Sequence, residues 1–504
     1  MTNHDLMQLL KEGKIDEAHT HALADYEQQA DDSARLNLAL AKAALCGQQA
    51  EAGDYEGFAE QLRGLSDIKA LPIVRISNTL CWSFLKMANR MSGSPEEMAL
   101  RCDSMGHYAM QLNPERPSQN ASILCKAMLV LRKKHGWSHF ATFMDWFGWD
   151  AFRLEDYQCE EMSERRRMPV SLVESAYAAY ARDLLHRGNQ EAIATFLPRM
   201  EAMSEQHPEM TWVAYYTGKL LIALGNLNDD TRRRVKAFVK RKNRDFWAWD
   251  MLADVAGDDE LRMACYCKAL TCPSEELMKR NVHIKLARLL HAKGMDSEAK
   301  AEYRAIMAAL RAGGYTAPQY LVEIAAEEWY QHAAAPDNNR QFYYTLVPKA
   351  EAFLYAGIEE QDLFITYINT EKRTARYVTK NHQEGFLHTT HLNRGRGVAL
   401  YHVYRCRMEH DGQRTQVYTC TEMTDMAPYE GIFIRRETGV LKTLATGTAF
   451  VNGIFVTKAL AEPYDNGTHV AVKAILNYNK IKQEWSWRAL KLAPVESSAT
   501  DRQQ

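Results

Sequence analysis

Near Gly357 the hydrophobic period of this chain changes, and that change limits the fold more than any other feature. Up to that point apolar residues recur at helical intervals in Ala- and Leu-rich stretches. Beyond it come short runs rich in β-branched and aromatic residues: Asp362 to Ile368, Arg376-Tyr377-Val378, Gly385 to His388, then Val398 to Met408 and Arg414 to Cys420 about Asp411-Gly412. One packed layer cannot serve both patterns, and 504 residues suffice for more than one core. The expected class is therefore multidomain, all-α followed by all-β.

Several helical turns look alike. Leu9 to Ala18, Leu184 to Ala192 and Leu289 to Ala299 each join two amphipathic helices through a glycine followed by acidic residues. Gly188, Gly225, Gly257 and Gly294 stand 37, 32 and 37 residues apart, scattered about the ~34-residue period of tetratricopeptide repeats. Tyr266, Ala269 and Pro273, with Ala109 and Pro114, resemble the small-residue and terminal-Pro positions of that repeat, and Ala287, Leu290, Ala299 and Tyr303 are expected to interlock between adjacent helices. Residues 1–357 are read as a degenerate tetratricopeptide-like solenoid. The aromatic run from Trp137 to Asp150 departs from the repeat and is either helix core or a groove for a peptide or base.

Pro428 separates two strand-rich sets, giving two small β-modules at 358–426 and 427–493 and a tail, 494–504, expected to be disordered. In the second module Thr446 to Val451, Ile454-Phe455-Val456 and Gly467 to Val472 are separated by Gly and Asn-Gly turns. Their order resembles the binding strands of a cold-shock domain, an OB-type barrel. That resemblance implies stacking of unpaired bases on Phe450 and Phe455, while Thr448 and Thr457 stand where the family usually has an aromatic and a His. Phe386-Leu387-His388 in the first module resembles the second cold-shock motif, and Arg376-Tyr377-Val378 sits at the first.

The candidate base-contacting residues are Phe364, Tyr367, Tyr377, Phe386 and His388 in the first module, with Lys372, Arg373, Arg394 and Arg396 for phosphates. In the second they are Phe450 and Phe455 with Lys458, and a hairpin carrying Lys480, Lys482, Trp485, Trp487 and Arg488. Strand alternation sends Trp485 and Trp487 to one face, which is either base-contacting or core.

Charge agrees with this division. Residues 362–492 hold 18 Lys and Arg against 12 Asp and Glu, whereas the whole chain has a net charge of −2. The arginine runs at 165–167 and 232–244 read as solvated helix faces. Ten scattered Cys without a CxxC pair and no secretion signal point to reduced, buried thiols and a cytoplasmic protein. His382, His388, His391 and His402 lack the Cys or carboxylate complement of a metal site. No phosphate loop, GxGxxG, HExxH or GxSxG occurs, so neither a catalytic centre nor a cofactor is expected.

The layout of helical repeats followed by two cold-shock-like barrels resembles components of the TOTE-type prokaryotic conflict systems. The likeness rests on Trp137 to Asp156, the helix start Ser171-Leu172-Val173-Glu174 and the C-terminal strands. It implies a non-enzymatic protein that recognises RNA or single-stranded DNA beside separate effectors in defence, with a protein partner on the solenoid. Two alternatives are a scaffold whose barrels have lost nucleic-acid binding and a repeat region that senses a peptide or small ligand.

Overall fold

Side-chain caps punctuate the helical part as the sequence suggests. Ser171 and Asn189 each accept a backbone N–H at the start of helices Leu172–Arg187 and Gln190–Gln206, filling donors that the first turn leaves unpaired. The computed structural model describes residues 2–159, 170–390, 392, 396–411, 414–479 and 482–495. The chain divides into two compact units, Met1–Phe238 and Val239–Gln504, so the later helices share a unit with both β-modules.

In the first unit, the run from Trp137 to Asp150 is core. Phe140, Phe143, Met144 and Phe147 are fully buried, and Trp149 packs on Tyr177, Tyr180 and Phe196. Gly188, Gly225 and Gly294 adopt the left-handed conformation expected of helix ends, but Gly257 does not. There Asp258 caps the next helix, Asp259–Thr271, through the Leu261 amide. In the second unit Ala287, Leu290, Ala299 and Tyr303 are buried between helices Arg280–Ala292 and Asp296–Ala312, small beside large, as expected. Arg233 and Arg234 pair with Asp230, and Arg234 also with Glu201, whereas the run 165–167 lies outside the described residues.

Among the described residues eleven strands follow: β1 Glu360–Asn369, β2 Thr374–Thr379, β3 Glu384–His388, β4 Val403–Asp411, β5 Arg414–Glu422, β6 Ile434–Val440, β7 Lys442–Thr443, β8 Ala449–Val451, β9 Ile454–Val456, β10 His469–Asn479 and β11 Glu484–Pro494. They form two sheets, ordered β3-β2-β1-β4-β5 and β6-β10-β11-β9-β8-β7. In the second, β9 runs parallel to β11 and a short helix, Lys458–Ala461, lies between β9 and β10, which is the connectivity of a small Greek-key OB barrel. In the first, β1 pairs with both β2 and β4, and β3 approaches β5. Strand β11 extends through Pro494, one residue into the segment expected to be a tail, and residues 496–504 lie outside the described residues.

The two β-modules share a core. Phe364 of β1 stacks on Phe433 at 5.3 Å with planes 8° apart, Phe433 stacks on Tyr429, and Val378, Val403, Ile434, Ile475 and Leu476 complete the cluster. Separate cores fill each barrel, Leu363, Ile365, Tyr377 and Tyr404 in the first and Val451, Ile454, Val470 and Val472 in the second. Full burial of each such side chain favours folding by about 1.5–3 kcal/mol. Within the second unit the β4–β5 hairpin also meets the helices: Tyr418 stacks on Tyr355 at 4.8 Å, and Glu409 pairs with Lys240 at 3.4 Å.

Candidate nucleic-acid interface

Register decides which side chains share a face. In the first module Tyr367 of β1 lies opposite Arg376 of β2, and Arg376 lies opposite Phe386 of β3. Directly opposed residues in an antiparallel ladder point the same way, so these three form one outward row. Tyr367 is 56% and Phe386 62% exposed. The next row is Asn369, Thr374 and the exposed His388, and Lys372 and Arg373 follow in the β1–β2 turn, both exposed. Gly385 is needed beside this row, since a Cβ there would fall 2.4 Å from the Tyr377 hydroxyl. Arg376 is paired with Glu384; its place in the ladder is between two exposed rings.

Two of the candidate rings do not belong to this face. Tyr377 is buried in the first barrel's own core, because alternation along β2 turns it inward while Arg376 points out. Phe364 does lie on the outer side, in register with Val378, but the second module covers it through Phe433. Neither can stack a base. Of the phosphate candidates, Arg396 is exposed, and Arg394 lies outside the described residues, as does His391.

The second module repeats the arrangement. Asn452 and Gly453 both take positive φ, 49° and 83°, as a two-residue hairpin turn requires, and this fixes Phe450 opposite Phe455. Their ring centroids are 5.7 Å apart with planes at 64°. Lys442 of β7 lies opposite Phe450, and Arg488 of β11 is in register with Phe455. Lys442, Phe450, Phe455 and Arg488 therefore make one outward row, two half-buried rings between two exposed cations. Ala449, Val451, Ile454 and Val456, the alternate residues of β8 and β9, fill the barrel.

Lys458 is exposed at the start of the short helix. Lys482 is exposed in the β10–β11 hairpin, 3.8 Å from Glu484, and Lys480 lies outside the described residues. Trp485 and Trp487 are half-buried, and each is engaged in packing. Trp485 packs on the shared core and stacks on His382 at 5.5 Å, while Trp487 packs on both that core and the barrel interior beneath the Arg435 guanidinium. Thr448 holds Thr446 at 2.9 Å where a ring was expected by resemblance.

Electrostatics tightens the seam between the modules. Asp362 accepts from Arg405 at 2.9 Å and pairs with Lys380 at 2.8 Å; burial opposes its charge, but the two cations outweigh burial and hold its pKa below the ordinary carboxylate value. Lys380 in turn lies 5.3 Å over the Tyr429 ring. His402 pairs with Glu422 at 2.6 Å, and no group of three potential metal ligands occurs among the described residues. None of the ten cysteines is in a disulfide; Cys159 is exposed, Cys420 half-buried and the others buried. Among the described residues, no helix is long and apolar enough to cross a membrane.

Arg376 and Lys442 were not among the sequence candidates. Pairing each ring with the residue across the ladder, rather than with its neighbours in the chain, brings both out.

Residues 435–492 match the family described as S1/CSD-like domain 2 of the TOTE conflict systems, and residues 211–350 match a domain of unknown function (DUF7017). No curated protein matches the chain. The second β-module is thus an S1/CSD-like domain of the TOTE conflict systems, borne C-terminal to an all-helical region.

Proposed function

We propose that this is a non-enzymatic protein that holds RNA or single-stranded DNA on the outer faces of its two β-modules, within a prokaryotic defence system. The observation behind this reading is the pair of outward rows, Tyr367-Arg376-Phe386 and Lys442-Phe450-Phe455-Arg488, in which every ring has a cation beside it across the ladder. Unpaired bases offer faces to rings and phosphates to cations, and this combination suits a single strand rather than a stacked duplex. In this reading the helices, taken as degenerate tetratricopeptide-like repeats, dock a protein partner and link strand recognition to a separate effector.

Within the second unit the helices meet the first barrel through Tyr418 and Glu409 on β4 and β5, which leaves Tyr367 and Phe386 open. A second reading, a scaffold whose barrels no longer bind nucleic acid, draws on the use of Phe364, Trp485 and Trp487 in packing. Competition separates the two. Unlabelled single-stranded RNA or DNA displaces a labelled single strand from the full chain while duplex of the same sequence does not; absence of any single-strand binding at low salt overturns the reading in favour of the scaffold.

A further inference from the structure

On the second barrel, three cations stand directly opposite one another on three adjacent strands. Lys473 of β10 is in register with Arg436 of β6 on one side and Lys491 of β11 on the other, and all three are exposed. With strands about 4.8 Å apart, the row spans about 10 Å. Like charges in opposed positions of a ladder cost stability. Arg436 is partly offset by Glu430 at 3.0 Å, but among the described residues neither Lys473 nor Lys491 has an ion-pair partner. Beside the cations, the next row is small: Thr438, Ala471 and Ala493. Together these residues line an open groove of about 560 Å³. Glu437 also lines it, but its carboxylate is taken by Arg435 at 2.5 Å and by Asn452 at 3.3 Å.

The groove is continuous with the aromatic row. Arg488, in register with Phe455, is three residues from Lys491 on β11, and the register shift opposite Lys473 and Ala474 leaves Leu490 as the extra residue, so Arg488 and Lys491 both face outward. A polyanion leaving Phe450 and Phe455 over Arg488 meets Lys491, Lys473 and Arg436 in turn, with small side chains that let its backbone lie close.

We infer that this groove is a second contact site, for the sugar-phosphate backbone of the strand whose bases stack on Phe450 and Phe455. It extends the barrel's footprint from the β7-β8-β9 side to the β6-β10-β11 side. It rests on the single-strand reading above and adds to it a direction of travel and a length dependence. The groove contributes charge and no base contacts, so it raises affinity without changing sequence preference.

The test compares the full chain with the double variant Lys473→Ala/Lys491→Ala, using labelled oligouridine of about 6 and about 16 nucleotides, the range a single barrel covers. Each cation that meets a phosphate adds about 0.7 to the slope of log affinity against log salt for a single strand. The double variant is expected to lower that slope by about 1.4 for the longer oligonucleotide and to leave the shorter one within about twofold. Its melting temperature is expected to be equal or higher, since like charges are removed, so weaker binding is not misfolding. An unchanged slope for the longer strand, with the unaltered chain binding both, overturns the groove alone. Failure of the unaltered chain to bind either strand overturns the proposed function and the groove with it.

Discussion

The indole of Trp485, in the second β-module, stacks on the imidazole of His382, in the first, with ring centroids 5.5 Å apart and planes 26° from parallel. The contact sits at the edge of the core that contains Phe364 and Phe433, and it marks the two barrels as one packed body rather than beads on a linker. Truncation of Phe364 should therefore be felt in both. Phe364→Ala is expected to cost about 3–5 kcal/mol and to raise amide hydrogen exchange in β6 and β10 of the second module as well as in β1 and β2 of the first. Loss of protection confined to β1 and β2 contradicts the shared core.

Exposed and buried rings of the first module should part company. Tyr367→Ala and Phe386→Ala are each expected to weaken single-strand binding by about 1–3 kcal/mol while leaving stability within about 0.5 kcal/mol, as for other surface positions. Tyr377→Ala, which empties part of the barrel core, is expected to lower the melting temperature instead. Anisotropy titrations beside thermal melts distinguish the two classes, and a Phe386→Ala variant that binds normally but melts early would place that ring in packing.

Stability of the second unit should depend on pH through a buried network in its helices. Glu302 accepts from the Tyr343 hydroxyl at 2.6 Å and Asn339 at 2.5 Å and meets His283 Nδ1 at 2.6 Å, while His283 Nε2 meets Glu276 at 2.9 Å and Lys279 holds Glu276 at 3.0 Å. Burial disfavours the His283 charge, but the two carboxylates outweigh it and raise its pKa above 6.5; hydrogen bonding from His283 lowers that of Glu276 to about 2. The His283 contribution is whole below pH 6.5 and is lost as pH rises through its folded pKa. That of Glu276 is whole above pH 4.5 and is lost as pH falls toward about 2. Both are present between those limits. Thermal melts of His283→Gln are expected to lose the decline above pH 6.5 that the unaltered chain shows; identical profiles rule the network out as its source.

The sequence made the two-part architecture legible because periods of 3.6 and 2 cannot be confused over such lengths, and Asn452-Gly453 between two alternating runs marked the hairpin that sets Phe450 against Phe455. Phe364 resembles a base-contacting ring in sequence because it does face outward; what hides it is Phe433, about seventy residues later, and no local pattern reports that a neighbouring module covers it. The register shift between Ile365 and Tyr367 adds to this, letting Phe364 and Tyr367, three apart, share a side of β1. Arg376, Lys442, Lys473 and Lys491 acquire meaning only across strands, from pairings fixed by the whole barrel. Gly257 fits the repeat spacing but takes another conformation, because Asp258 caps the following helix at once.

Whether the outer face of the S1/CSD-like domain holds a single strand through Phe450 and Phe455 is decided by anisotropy titration of labelled oligouridine with the full chain and with Phe450→Ala/Phe455→Ala. Loss of two stacking rings is expected to weaken binding by about 2–6 kcal/mol while leaving the salt slope nearly intact, because the cations stay. Affinity unchanged in a folded double variant would contradict it.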